Sequence, residues 1–431
     1  MRRRLRVAWF SPLTTAEAPS SSLSAWVTAQ LLPLLRDEFE IELFHDSFAR
    51  AEDLPTRHYL TAFHHHRERP YDVLFYQLED TPHTNFNRIH LGLMPGVVLC
   101  HDFMLSTECP APIRNSPWLE TVRRYADPHY PFPGRQVAHE PRGPLAYREL
   151  GLAAMPLFSS PRAHAEYQRL VDDRVFPAGT SHYLPLPVPE VLFDHPPRSL
   201  PSEPVAGFAG TPNIEHRAHK VCQALARSER PWRLRWLIES HEEGAAREIA
   251  AQFGVTERVE LISGRSPARW VEILPGLDVG LHLLFSVFGQ PGPWLELSLA
   301  AGLPCLVTNF GSPEYLDAGV ALSIRPGEHE AAEIRLALDA IARNGSPRTT
   351  GREFARENHD RRIVAGELAA LFHRAQPALG RFAARWEELE REAAAALRRE
   401  ALRAPGSGEV FDPASCQARL VEPIFEELGW R

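Results

Sequence analysis

Val205-Ala206-Gly207-Phe208-Ala209-Gly210, an apolar run closed by glycine, restarts a pattern that the chain has already run through once. From it the alternation continues through a helix to about Ala226, then strands at Leu234–Ile238 and Val259–Ile262 with helices between them. A strand at Val279–Leu284, a helix at Leu295–Ala301, and strands at Cys305–Thr308 and Val320–Ile324 complete the set. Short apolar strands alternating with helical stretches mark parallel β-α-β units, whose strands are covered on both faces and so read as continuous apolar runs. A complete Rossmann-like sheet is therefore expected over this half.

The first half shows the same alternation. Leu5–Phe10 reads as a buried strand, Ser11–Ser22 as a Pro/Thr/Ser-rich loop and Leu23–Leu35 as a helix; Ile41–Phe44, Val73–Tyr76, Val97–Cys100 and Met155–Phe158 follow as compact strands. Between Glu108 and Glu149 prolines accumulate and periodicity disappears, which predicts an irregular loop at a functional edge. The Pro-rich stretch Leu184–Pro204 reads as the interdomain linker. Past Glu328 the chain is helical almost throughout, and an apolar stripe at Leu379, Phe382, Trp386, Leu389, Ala393 and Leu397 predicts a packing face or, less often, a dimer helix. The expected organisation is an N-terminal Rossmann-like domain over 1–190, a C-terminal one over 191–375 and a helical extension over 376–431.

Size and composition agree. A chain of 431 residues with 44% hydrophobic and 24% charged residues fills two soluble domains. A formal net charge of −8 argues against a protein built to grip nucleic acid. The five cysteines form no C-x-x-C pair, which is the usage of a reducing compartment. No apolar stretch approaches a membrane span, so the expected location is cytoplasmic, with peripheral contact at the inner face of a membrane left open.

The segments Tyr76-Gln77-Leu78, Pro82-His83 and Pro95-Gly96-Val97-Val98-Leu99-Cys100-His101-Asp102-Phe103, taken with Phe10-Ser11-Pro12 and Leu31-Leu32-Pro33, resemble the amino-terminal domain of bacterial family 4 glycosyltransferases. Ala300-Ala301-Gly302-Leu303-Pro304 and Gly311-Ser312-Pro313-Glu314 resemble that family's donor-binding region. The resemblance runs over roughly residues 5 to 345. It implies an α/β GT-B architecture: two Rossmann-like, doubly wound domains facing a central cleft, followed by extra C-terminal helices. The implied activity is retaining transfer of a sugar from a nucleotide-sugar donor to the hydroxyl of a glycan, lipid or small-molecule acceptor, with no metal cofactor.

A departing nucleoside diphosphate gains negative charge, so its site needs backbone N–H groups at a helix start and at least one cation. Gly210 ends the first strand of the second half, and Arg217 and Lys220 follow three apart, which predicts one helical face. Lys220 is the only lysine in the chain, which points to a position that wants a compact ammonium rather than a guanidinium fork. The resemblance implies that His101, of the His101-Asp102 pair at a strand end, contacts the transferred sugar. It also implies that Gly311 and Ser312 present N–H groups near the diphosphate.

The donor region departs from the family pattern. Two glutamates eight apart are usual there, and here those positions fall on Gly289 and Leu297, with Gln290 and Glu296 each one residue away. A one-residue offset is about 100° around a helix. Glu296 or Gln290 is expected to bind ribose or sugar hydroxyls; otherwise the chain is a non-catalytic GT-B protein that binds a nucleotide, a glycan or a partner glycosyltransferase. Ser20-Ser21-Ser22 stands where the first-domain loop often carries glycine. His64-His65-His66, with His58 nearby, lacks the carboxylate or cysteine company of a metal site. P-loop, nucleophile-elbow, H-E-x-x-H and Rossmann dinucleotide motifs are absent.

Overall fold

A computed structural model of the chain describes residues 3–13, 22–46, 55–81, 84–103, 105, 146–172, 180–196, 199–285, 293–310, 316–317, 319–344 and 349–383. The chain divides into two compact units, one made of 1–158, 164–183 and 366–431, the other of 159–163 and 184–365. Most of the Pro-rich loop at 108–149 and the helices expected beyond Ala383 lie outside the described residues.

In the first unit β1 (Arg6–Phe10), α1 (Leu23–Leu35), β2 (Glu40–His45), β3 (Thr56–His58), α2 (Ala62–Glu68), β4 (Val73–Leu78), α3 (Asn85–Leu93), β5 (Val97–Cys100), α4 (Tyr147–Leu152), β6 (Met155–Phe158), α5 (Pro161–Asp172) and β7 (His182–Tyr183) follow one another, α5 beginning at the border with the second unit. Its sheet runs β3-β2-β1-β4-β5-β6-β7, parallel throughout. Every residue of β1, β4, β5 and β6 is buried, as expected of strands covered on both faces. The second unit carries β8 (Val205–Ala209), α6 (Ala218–Ala226), β9 (Arg233–Ile238), α7 (Glu243–Gln252), β10 (Val259–Ser263), α8 (Pro267–Ile273), β11 (Val279–His282), α9 (Trp294–Ala300), β12 (Cys305–Thr308), β13 (Leu322–Ile324), α10 (Glu330–Asn344), α11 (Thr349–His359) and the start of α12 (Arg361–Ala383). Its parallel sheet runs β10-β9-β8-β11-β12-β13.

The two doubly wound sheets anticipated from the sequence are present. Two strands were not anticipated: β3, a polar edge strand, and β7, of two residues. The strand expected over Val320–Ile324 is shorter, because the chain turns at Gly319 and Val320 before pairing begins. The Ala300-Ala301-Gly302-Leu303-Pro304 segment ends α9: Gly302 takes a φ of 73°, and Leu303 N–H donates back to the Ser298 carbonyl at 3.0 Å. That left-handed residue is why glycine stands there. The later part of α12 closes the first unit, where Phe372 packs edge-on against Phe75 at 5.3 Å and Phe39 at 5.6 Å.

No helix among the described residues is long and apolar enough to cross a membrane. Cys100, Cys222 and Cys305 are buried thiols.

The first unit buries His45, His58, His66, His90 and His101. Burial holds His45, His58 and His66 at about 4 and His90 and His101 at about 3. In the unfolded chain the same imidazoles protonate near their ordinary value, so acid feeds protons to the unfolded state first. Their contribution is present above about pH 6.5 and is lost as pH falls toward 4. Asp102 and Glu296, both raised to about 7 by burial, act in the opposite sense over the same range but are fewer. The melting midpoint is expected to drop by roughly 5–10 °C from pH 7 to pH 5. A midpoint that stays flat or rises over that interval in a thermal melt series contradicts this reading.

Candidate functional site

In an open parallel sheet a ligand sits beyond the carboxyl ends of the strands, where the strand order reverses. In the second unit that point lies between β8 and β11. The chain leaves β8 at Gly210, whose carbonyl accepts the Trp236 indole N–H at 2.8 Å. A side chain here would press on the Phe208 ring at 2.9 Å and on His216 at 3.0 Å, so the turn is as tight as glycine allows. The turn then runs through Thr211 and His216 into α6.

Arg217 is the cap residue of α6, in the left-handed conformation with φ 59°, and stands outside the helix proper. Lys220, in the first turn, follows at 2.8 Å between its N–H and the Arg217 carbonyl. The two residues therefore share one helix start rather than one helical face. Arg217 also has a partner that the sequence does not announce. Its guanidinium Nε lies 2.9 Å from both carboxylate oxygens of Glu330, and Nη2 bonds one of them as well. Glu330 is fully buried, and the Arg217 guanidinium sits 5.4 Å from the Phe285 ring centre. The charge of Arg217 is thus already met inside the protein.

A second cation reaches the same turn from the far edge of the sheet. Arg265 follows β10, and its Nη1 donates to Thr211 Oγ1 at 2.8 Å and approaches Glu242 Oε2 at 3.3 Å. Burial, and then the nearby Arg265 charge, hold His216 neutral at about 4. Arg265 escaped the sequence reading because it is distant from Gly210 along the chain; its position just after an apolar strand was the available signal.

Glu296 lies in the first turn of α9, the helix that follows β11. Its Oε2 is enclosed with no hydrogen-bond partner among the described residues, and burial raises its carboxyl to about 7. Leu297, the position where the family pattern places a glutamate, is fully buried in the core. Gln290, Gly311 and Ser312 lie outside the described residues.

In the first unit the strand order reverses between β1 and β4. His101 follows β5, and its N–H extends the ladder by donating to the Leu78 carbonyl at 2.8 Å. The Gln77 amide donates to Thr28 Oγ1 at 2.8 Å and to the Ser24 carbonyl at 3.2 Å, leaving its Oε1 to accept from His101 Nε2 at 3.0 Å. This network assigns the imidazole proton to Nε2. Burial keeps the ring uncharged, so His101 can orient a polar ligand but not neutralise one. Next to it, Asp102 accepts the Asp80 N–H at 2.8 Å, and burial raises its carboxyl to about 7. Among the described residues no group of three or more His, Cys, Asp or Glu could hold a metal ion.

No family model matches the chain, and no curated protein matches its sequence. Solved structures match its fold. Sucrose-phosphate synthase from Thermosynechococcus elongatus is 14% identical, over 87% of this chain and 100% of that one, with a TM-score of 0.62. Anabaena HepE in complex with UDP and glucose is 13% identical, over 86% and 100%, with a TM-score of 0.58. WaaG, a glycosyltransferase involved in lipopolysaccharide biosynthesis, is 14% identical, over 85% and 99%, with a TM-score of 0.57. The two Rossmann-like domains are those of the GT-B fold.

Proposed function

We propose that this chain is a retaining glycosyltransferase whose second domain holds a nucleotide sugar at the β8/β11 reversal point and whose product is a glycosylated acceptor hydroxyl. The reading is carried by the turn after β8, which Arg265 reaches through Thr211 Oγ1 and which leads into the first turn of α6, where Lys220 stands. A diphosphate leaving group needs such positive charge, placed in advance. With Arg217 tied to Glu330, the diphosphate charge falls to Lys220 and Arg265 rather than to a metal ion. Glu296, whose enclosed Oε2 lacks a donor among the described residues, suits a ribose or sugar hydroxyl. Gln290 is the alternative to Glu296 for those hydroxyls, Gly311 and Ser312 keep the donor contacts that the resemblance implies, and His101 the contact to the sugar.

In the proposed step the bond from the anomeric carbon to the donor phosphate breaks and the acceptor oxygen bonds to that carbon on the same face. The acceptor proton passes to the departing phosphate oxygen. The protein supplies position and charge more than a strong base.

Calorimetric titration with UDP, GDP, ADP and dTDP sugars tests the donor assignment, since one nucleotide series is expected to bind saturably. Arg265→Ala is expected to weaken that binding by roughly tenfold or more, because it removes one charge-assisted phosphate contact, with a stability loss smaller than that of Arg217→Ala because Glu242 keeps the Glu239 N–H. Unaltered affinity in the variant removes Arg265 from the site, and no binding of any nucleotide sugar overturns the donor assignment.

A further inference from the structure

The start of α1 borders the point in the first domain where the strand order reverses, between β1 and β4, the place where a Rossmann-like unit ordinarily offers free N–H groups to an anion. Here each of the first four helical N–H groups has an acceptor within the chain. Leu23 N–H donates to Glu79 Oε1 at 2.9 Å and Ser24 N–H to Glu79 Oε2 at 3.2 Å. Ala25 N–H donates to Ser22 Oγ at 3.2 Å, and Trp26 N–H to the Ser22 carbonyl at 3.1 Å. Two hydroxyls complete the cradle: Ser22 Oγ lies 2.7 Å and Ser24 Oγ 3.1 Å from Glu79 Oε2. Glu79 follows β4 and is buried, 57 residues from Ser22 along the chain. A carboxylate held by two N–H and two O–H donors at a helix N-terminus has the charge and hydrogen-bond pattern of a bound phosphate oxygen pair.

We infer that Glu79 is a specificity-determining residue of the first domain: its carboxylate occupies the anion position on α1, so that position refuses phosphate and phosphate recognition is left to the second domain. This deepens the transferase reading and rests on it for its meaning, since it says that the ligand of the first domain presents no phosphate at α1. Beside Glu79, the Asp80 N–H donates to Asp102 Oδ2 at 2.8 Å, so the Asp102 carboxyl is taken up by the backbone at the same strand ends. The Glu79 carboxylate thus gives the α1 start the wrong sign for an anionic ligand.

The test uses the full chain and inorganic phosphate, with the amide resonances of Leu23 and Ser24 as the reporter. In the wild type these two resonances are expected to stay unmoved while phosphate is raised through the millimolar range. In Glu79→Ala the vacated cradle is expected to take phosphate, with saturable shifts at both amides and an apparent affinity at least tenfold above any shift in the wild type. Saturable movement in the wild type overturns the inference, and so does a folded Glu79→Ala protein whose Leu23 and Ser24 amides ignore phosphate. Should the variant not fold, the wild-type titration decides alone. Because the probe carries no nucleotide and the reporters sit in the first domain, this result stands apart from the donor assignment: loss of nucleotide-sugar binding would sink that reading and leave these shifts unchanged.

Discussion

Lys220→Ala is expected to lower turnover by about two to three orders of magnitude, the range observed when one preorganised charge-stabilising donor is removed from a site. The residue lies in the first turn of α6 and is partly exposed, so its loss costs the fold little. The denaturant midpoint should therefore match the wild type while turnover collapses. Because every other permanent side-chain cation in the chain is arginine, Lys220→Arg is a sharp companion. A compact ammonium and a planar fork are not interchangeable at a phosphate, so partial rescue at most is expected. Wild-type turnover in the alanine variant removes Lys220 from the mechanism.

Arg217→Ala is expected to behave in the opposite way, with its damage appearing first as instability. Glu330 is fully buried, and besides Arg217 its carboxylate accepts, among the described residues, a long 3.4 Å contact from the Gly327 N–H. Removing one partner of a buried pair strands the other, at a cost of about 3–5 kcal/mol. Equilibrium unfolding in urea measures this directly. Replacing both partners, as in Arg217→Met with Glu330→Met, should recover much of the loss, because the isolated buried charge disappears with its partner. A stable Arg217→Ala protein with weakened nucleotide binding would instead show that Arg217 spends its charge on the ligand.

These two variants separate cations that stand three residues apart and look alike in sequence. The distinction was not legible there, because Glu330 lies 113 residues from Arg217 and enters only when α10 packs on α6. The same holds for Arg265, brought to Thr211 across the end of β9, and for Glu79, brought to α1 by the adjacency of β1 and β4. Contacts made by sheet topology leave no local spacing to read. The strands were legible for the converse reason: Val73–Leu78 and Val97–Cys100 are buried on both faces, so burial itself writes an unbroken apolar run. Thr56-Arg57-His58 carries no such run, since it pairs on one side only at the sheet edge. Gly210 and Gly302 were readable because a tight turn and a left-handed helix end each demand a residue without a side chain.

Glu296 marks where pattern and packing disagree. Matching the family spacing would put a carboxylate at position 297, but the core of the second domain takes a leucine there, fully buried. Glu296 stands one position before it on α9, where Oε2 is enclosed without a partner among the described residues and burial raises the carboxyl to about 7.

Whether the second domain holds a nucleotide sugar for transfer is read from free nucleotide followed over time. The purified protein would be incubated with the nucleotide sugar that binds best, in parallel with Lys220→Ala. The wild type is expected to release nucleoside diphosphate saturably, and the variant to lose about two to three orders of magnitude of that rate. Tight binding with no release above the uncatalysed rate would contradict this reading and make the chain a binding protein on a transferase fold.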